Sequence, residues 1–492
     1  MTILFKNTQL IDGSGRESIK ADVLIKNDKI SAIGNFPKYQ ADEIIDGMGS
    51  YLAPGFIDIN TSFDHYLNIF SNFKAENYLL QGVTSIIGGQ GGASLAPLIY
   101  GSLESIQEWA DINKVNIDWQ TMKEFLEIME NFSLGINFGT LVGHTTIRQA
   151  LTDKTKRDLS QNELKVFNMV LKKSLKAGAF GFSTDLDYLQ NNKISYQEIE
   201  YFIKTVIEQK SLYATQFQDE KKSLLFSIKE LIRIAKETGV KILINNFHPI
   251  IGFENDYNEA LNLIDKNIDE VDISFSVSPF KKSVVLIHNL LPIWAQKEDK
   301  IKILKDIENK EFKERILKDL FNLNAEKIII INAPNNEYLN GKSLKEFSQN
   351  RNLNFNEGLL ELMKLTEFRA TIFYENINFK KIIESLKHKA AIIASGGAGF
   401  NLQPEYSFNA FTEFLKLVNE KNIMPLEKAV YKITGLPAQK LELKNRGFIA
   451  EGFFADMVLF KDSEIREVLI NGKRVIKEGK FQNIFKGRVL KK

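Results

Sequence analysis

The chain has no cysteine among its 492 residues. That excludes disulfides, thiolate nucleophiles and cysteine metal sites, and nothing points to an oxidising compartment. It also lacks an excess of either charge: 64 Lys and Arg face 62 Asp and Glu, for a net charge of +2. With no long block of one sign to make a groove for phosphates, nucleic acid is not an expected partner. No apolar run approaches the roughly 18 residues of a membrane span. The opening Met1-Thr2-Ile3-Leu4-Phe5-Lys6-Asn7 turns polar too soon for a signal peptide, so a cytoplasmic chain without a membrane partner is expected. Internal repeats and low-complexity segments are absent too.

What is present is enough hydrophobic residue, 44%, to bury large cores. Residues 1 to about 50 read as hairpins, with Asp22-Val23-Leu24-Ile25 and Lys29-Ile30-Ser31-Ala32-Ile33 flanking a turn at Asn27-Asp28. After Pro54 the rhythm becomes strand, helix, strand. A helical stretch from Leu164 to Leu175 stops at Gly178, and the stripe Leu224, Ile228, Leu231, Ile232, Ala235 stops at Gly239 before the apolar strand around Ile242. Repetition of this unit to about residue 435 predicts a parallel sheet with crossover helices. A Lys-rich helical pair over about 281–335 breaks the rhythm and reads as an insertion. The tail returns to hairpins, with Asn471-Gly472 between alternating strands as a hairpin turn signal.

Two segments bear on chemistry. In Pro54-Gly55-Phe56-Ile57-Asp58-Ile59-Asn60-Thr61-Ser62, alternate residues of a strand share a face, so Asn60 and Ser62 would point to one place. Their neutral amide and hydroxyl oxygens are poor zinc ligands. The cluster Gly88, Gly89, Gly91 and Gly92 lacks the lysine and the spacing of a phosphate-binding loop.

The Pro-Gly-Phe-Ile-Asp opening resembles the metal-site strand of amidohydrolases. So does the tail, in Thr434-Gly435-Leu436-Pro437-Ala438, Asn445-Arg446-Gly447 and Ala455-Asp456-Met457-Val458. Gly82-Val83-Thr84, Ser94-Leu95-Ala96-Pro97, Gly143-His144-Thr145-Thr146-Ile147-Arg148, Gly178-Ala179-Phe180-Gly181-Phe182-Ser183-Thr184 with Asp187-Tyr188, and Leu290-Leu291-Pro292-Ile293-Trp294 are similar to the D-aminoacylases, or N-acyl-D-amino-acid deacylases, of that superfamily. The resemblance spans nearly the whole chain in order. It implies a TIM-like (β/α)8 barrel over 54–439 and a composite β-sandwich from 1–53 and 440–492. It also implies the metal-dependent hydrolysis of an amide.

At the positions that carry this chemistry in the family, the chain departs. The two histidines of the first strand become Asn60 and Ser62. The cysteine ligand of the second strand falls at Gly91. Later histidine ligands fall at Gln216 and near Asn246 or Phe247, and the aspartate that serves as ligand and general base falls at Gly396. The arginine that grips the substrate carboxylate falls at Glu405. The expectation is therefore no zinc or other cofactor, no hydrolysis, and a present role in binding a small molecule or a partner protein. The alternative is an active C–N hydrolase with a relocated metal site built from Asp64, His65, His144 or His248. For the loop pair Asp64 and His65 a surface hydrogen bond competes with a ligand role. For His248 the competing role is a hydrogen bond at a strand end. His144 and Arg148 could line the pocket or anchor a loop, and Tyr188 could approach a substrate carboxylate or fill the core. His288 and His388 read as structural or surface residues.

Overall fold

The computed structural model describes residues 1–101, 106, 112, 115–153, 155, 157–186, 194–217, 224–296, 298, 300–320, 325–396 and 409–492. Eight parallel strands make the barrel: Phe56–Asp58, Val83–Gly88, Asn137–Thr140 continuing as Val142–Gly143, Gly181–Asp185, Leu212–Gln216, Lys241–Asn245, Ile273–Val277 and Ala391–Ile393. The fourth to the eighth pair in register as neighbours, as in Gln216 opposite Asn245 and Ile244 opposite Phe275. The last and first strands meet where the Ser395 N–H donates to Asp58 Oδ1 at 3.2 Å. Inside, Ile57, Ile59, Ile87, Leu141, Phe180, Leu212, Leu243 and Ile392 fill the barrel as a packed core.

The outer helices begin and end where local chemistry dictates. Ser160 caps the Gln161–Ala177 helix, accepting from the Glu163 N–H while the Glu163 side chain accepts in return. Gly178, at φ 120°, ends it. The second expected helix runs Leu224–Thr238, and its strand is Lys241–Asn245.

Both chain ends enter one nine-stranded sheet, in which Tyr51–Pro54 pairs with Thr2–Leu10 on one side and Met457–Lys461 on the other. The sheet curls back on itself. The Ile30 N–H donates to the Phe453 carbonyl at 2.9 Å and the Ala455 N–H to the Asp28 carbonyl at 2.9 Å, closing it over Ile3, Phe5, Val23, Ile25, Met457, Leu459 and Leu469. Asn471-Gly472 turns the expected hairpin with positive φ at both residues, and a Cβ on Gly472 would meet the Asn27 carbonyl. A buried network ties sheet to barrel. Asn137 Nδ2 donates to Asp456 Oδ2 at 3.0 Å, Asn471 Nδ2 donates to Asn137 Oδ1 at 2.9 Å, and Arg446 pairs with Asp456.

The segment read as a helical pair contains more than helices. Ser283–Leu286, Thr371–Tyr374 and Ile328–Asn332 form an antiparallel sheet, and the associated core runs from Ile287 to Ile372, past the expected end near 335. Strand Thr371–Tyr374 lies far along the chain from its partners, so no local pattern announces the pairing. Among the described residues, no helix is long and apolar enough to cross a membrane.

Candidate functional site

The C-terminal ends of the barrel strands carry a network of carboxamides and hydroxyls. Gln90 Nε2 donates to the Ile59 carbonyl at 2.7 Å, and Gln90 Oε1 accepts from Asn245 Nδ2 at 2.7 Å. Asn245 Oδ1 accepts from Ser276 Oγ at 3.2 Å. Ser276 Oγ in turn accepts from Asn60 Nδ2 at 3.2 Å and from the Asn246 N–H at 3.1 Å. Asn60 Nδ2 also donates to Asn246 Oδ1 at 2.9 Å. Side chains from the first, second, sixth and seventh strands are thereby linked across the barrel mouth. Buried amides pair in this way because an unmet donor or acceptor costs about 1–3 kcal/mol.

Beside it, Gln216 reaches over Gly91. A Cβ built on Gly91 would lie 2.5 Å from Gln216 Nε2, and that nitrogen donates to Asp185 Oδ2 at 3.1 Å. Gly91 also holds φ 58°. A Gly91→Ala substitution should therefore cost about 2–3 kcal/mol, combining left-handed backbone strain with displacement of the Gln216 amide. Adding Gln216→Ala should recover the steric part alone. Chemical denaturation of the two variants checks this, and equal loss in both would show that the contact is slack.

Asp58 is fully buried beneath Ser395. Burial pushes its carboxyl up to about 7, against hydrogen bonds from the Ser395 side chain and N–H and the Asn60 N–H. Its Oδ2 has no partner among the described residues, and Tyr78, hydrogen-bonded to Thr61, packs nearby.

Comparison with known proteins shows what the whole chain is similar to. No family model matches the chain. The D-aminoacylase of Alcaligenes xylosoxydans xylosoxydans is 25% identical over 99% of this chain and 97% of its own length. The chain's homologues and structural neighbours are D-aminoacylases and N-acyl-D-amino-acid deacylases of the amidohydrolase superfamily. An N-acyl-D-glutamate deacylase of the same organism is 25% identical over 94% of this chain and 87% of its own. A D-aminoacylase crystal structure superposes with TM-score 0.81 at 24% identity, covering 100% of this chain and 99% of that one. The N-acyl-D-glutamate deacylase of Bordetella bronchiseptica, solved with zinc and a phosphonate inhibitor, gives the same TM-score at 21% identity.

Within this D-aminoacylase fold, the residues expected at the site separate into three groups. Asn60, Asn246, Gln216, Gly91 and Gly396 come together at the mouth. A Cβ on Gly396 would lie 3.2 Å from Asn246 Oδ1. Phe247, the other candidate for its position, is core. Ser62 does not share a strand face with Asn60, because the strand ends at Asp58. Ser62 lies in the following turn, where its carbonyl accepts from the Tyr66 N–H at 3.2 Å. Tyr188 and Glu405 lie outside the described residues, as does Asp187.

The histidines and Asp64 have other settings. Asp64 and His65 are not surface residues: they are 0% and 3% exposed. The Gly89 N–H donates to Asp64 Oδ2 at 2.6 Å, and His65 Nε2 lies 3.0 Å from the Ala93 carbonyl. The close turn at Gly88 and Gly89 draws this loop inward, since a Cβ on Gly88 would lie 2.5 Å from Asp64 Oδ2. Arg148 takes the loop-anchoring role, its Nη2 donating to the Arg157 carbonyl at 2.7 Å, whereas His144 is enclosed in the core. It begins the His144–Thr152 helix among Phe167, Phe182 and Phe202, with Nε2 2.9 Å from Glu198 Oε1, which also accepts from Arg148 Nε at 3.0 Å. Burial pulls the His144 imidazole below its ordinary value against the opposing pull of Glu198. Burial raises Glu198, yet His144 and Arg148 hold it below the usual range. His248 accepts at Nε2 from the Ser278 N–H at 3.1 Å, the strand-end role, and burial brings it down to about 4. His388 pairs with Asp265 at 2.8 Å on the barrel's outside.

Gln90, Asn245, Ser276, Ser278 and Ser395 had no place in the sequence reading of the site. Gln90, Asn245 and Ser395 stand beside residues that did, and that adjacency was the available signal.

Proposed function

We propose that this relative of the D-aminoacylases is a non-hydrolytic protein that binds a small molecule at the barrel mouth. The observation that carries the reading is the carboxamide and hydroxyl network at the positions where the family holds zinc. Catalytic zinc takes three protein ligands from thiolate, imidazole or carboxylate, and it lowers the pKa of a bound water that then attacks the amide. Asn60, Gln216, Asn246 and Gly396 offer none of these, and Gln216 fills the space above Gly91. The donor set does not fit the metal. Among the described residues, no group of three His, Cys, Asp or Glu could hold an ion elsewhere. His65, His144 and His248 sit on separate partners, which disfavours a relocated site.

The division into a barrel over 54–439 and a unit of 1–53 with 440–492 is proposed on the same family resemblance. The reading is tested by incubating the protein and Zn²⁺ with N-acyl-D-amino acids and following amine release. No turnover above the metal-only control is expected. Turnover that requires His144 or His248 would replace this reading with a relocated metal site.

A further inference from the structure

The hydrogen-bond network at the mouth has a direction. The Ile59 carbonyl can only accept, so the Gln90 group 2.7 Å from it is the NH₂ and its other atom is the carbonyl oxygen. That oxygen accepts, which makes the Asn245 atom facing it an NH₂ and leaves Asn245 Oδ1 to accept the single proton of Ser276. With its proton committed, Ser276 Oγ can only accept, from the Asn246 N–H and from Asn60. The Asn60 group is therefore an NH₂, and its second proton goes to Asn246 Oδ1. Each bond follows from the one before. The chain ends at Asn246, whose Nδ2 has no partner among the described residues and belongs to a half-buried side chain.

Gln216 ends the other way. Its Nε2 donates to the Asp185 carboxylate, so Oε1 is left as an acceptor on a second half-buried side chain. Gln216 lies opposite Asn245 in the parallel register, one residue from Asn246. The mouth thus presents one amide donor and one amide acceptor on adjacent strands, each with its polarity set from beneath. The charge around them is not positive. Neither Asp58 nor Asp64 has an ion pair among the described residues, and His248, which accepts at Nε2, is neutral. Among the described residues, an anionic group brought here would meet no cation, would face the Asp185 carboxylate beside Gln216 and would lose its hydration.

Resting on the binding-protein reading above, we infer that the ligand is an uncharged carboxamide, its carbonyl accepting from Asn246 Nδ2 and its N–H donating to Gln216 Oε1. This would distinguish the chain from the deacylases of N-acyl-D-aspartate and N-acyl-D-glutamate among its relatives, whose named substrates are acids.

Calorimetric titration of the full-length protein with N-acetyl-D-leucinamide, N-acetyl-D-leucine and D-leucinamide separates neutral, anionic and cationic probes of one size. The neutral amide should bind at least tenfold tighter than either of the others. Asn246→Asp, which replaces the donor NH₂ by an oxygen of the same shape, should weaken it at least tenfold, and Gln216→Met should do the same if the first variant melts early. Tighter binding of the acid or of the amine overturns the inference, as does the absence of neutral-amide binding at millimolar concentration. Turnover of a probe would sink the non-hydrolytic reading instead, while the affinity ratio would still report on the ligand's charge.

Discussion

Removing residues 450–492 is expected to leave insoluble or strongly destabilised protein. Those residues supply Met457–Lys461, the strand that pairs with Tyr51–Pro54, and the three strands beyond it. They also supply Val458, Phe460, Val468, Leu469, Ile470, Val475 and Ile476, all of them fully buried. At about 1.5–3 kcal/mol for each large apolar side chain, their loss matches or exceeds a typical total stability of about 5–15 kcal/mol. The cut also strips Arg446 of Asp456 and takes from Asn137 its bonds to Asp456 and Asn471, leaving it a 3.4 Å bond to Ser85 Oγ inside the joint with the barrel. Tail residues bond the barrel directly as well, with the Gly487 N–H on the Leu134 carbonyl at 2.8 Å and the Leu490 N–H on Phe138 at 2.7 Å. A truncated protein whose melting curve matches the intact one would refute the shared sheet.

Asp58→Asn should make stability less dependent on pH. The folded carboxyl titrates near 7 and an unfolded one near 3.8, so the folded state holds the extra proton between these values. A raised carboxyl of this kind contributes stability below about pH 4, and that contribution drains away as pH climbs through 7. The amide resembles the protonated acid at every pH. The variant should match the parent below about pH 4 and exceed it at pH 8.5 by an amount on the order of a few kcal/mol. Denaturation at both values reads the difference. An equal offset at the two would mean that Asp58 does not carry the titration.

The fold was legible where local signals are strong. Gly178 and Gly239 end their helices as the periodicity requires, and Asn471-Gly472 turns its hairpin. The curl of the sheet was not, since it depends on Ile30 meeting Phe453 more than 400 residues away in the chain. The pairing of Thr371–Tyr374 was hidden for a similar reason: its partners Ser283–Leu286 and Ile328–Asn332 lie well before it, and burial of Ile287 through Ile372 is a tertiary fact.

At the site, the family resemblance located Asn60, Gln216, Asn246 and Gly396 without revealing what they touch. Asn60 finds Asn246 and Ser276 across the barrel, and only a folded barrel fixes that choice. The burial of Asp64 was hidden because it rests on the bare backbone of Gly88 and Gly89. His144 stood beside a pocket-like motif in sequence, yet the helix it starts turns it toward Glu198 and three phenylalanines.

The central claim is that neutral amides stand where the family places its metal. The most direct measurement is the zinc content of protein purified without chelator, dialysed against Zn²⁺ and then against metal-free buffer. The account predicts well under one equivalent of tightly held zinc, unchanged in His144→Ala and His248→Ala. A full equivalent that disappears in either variant would contradict it.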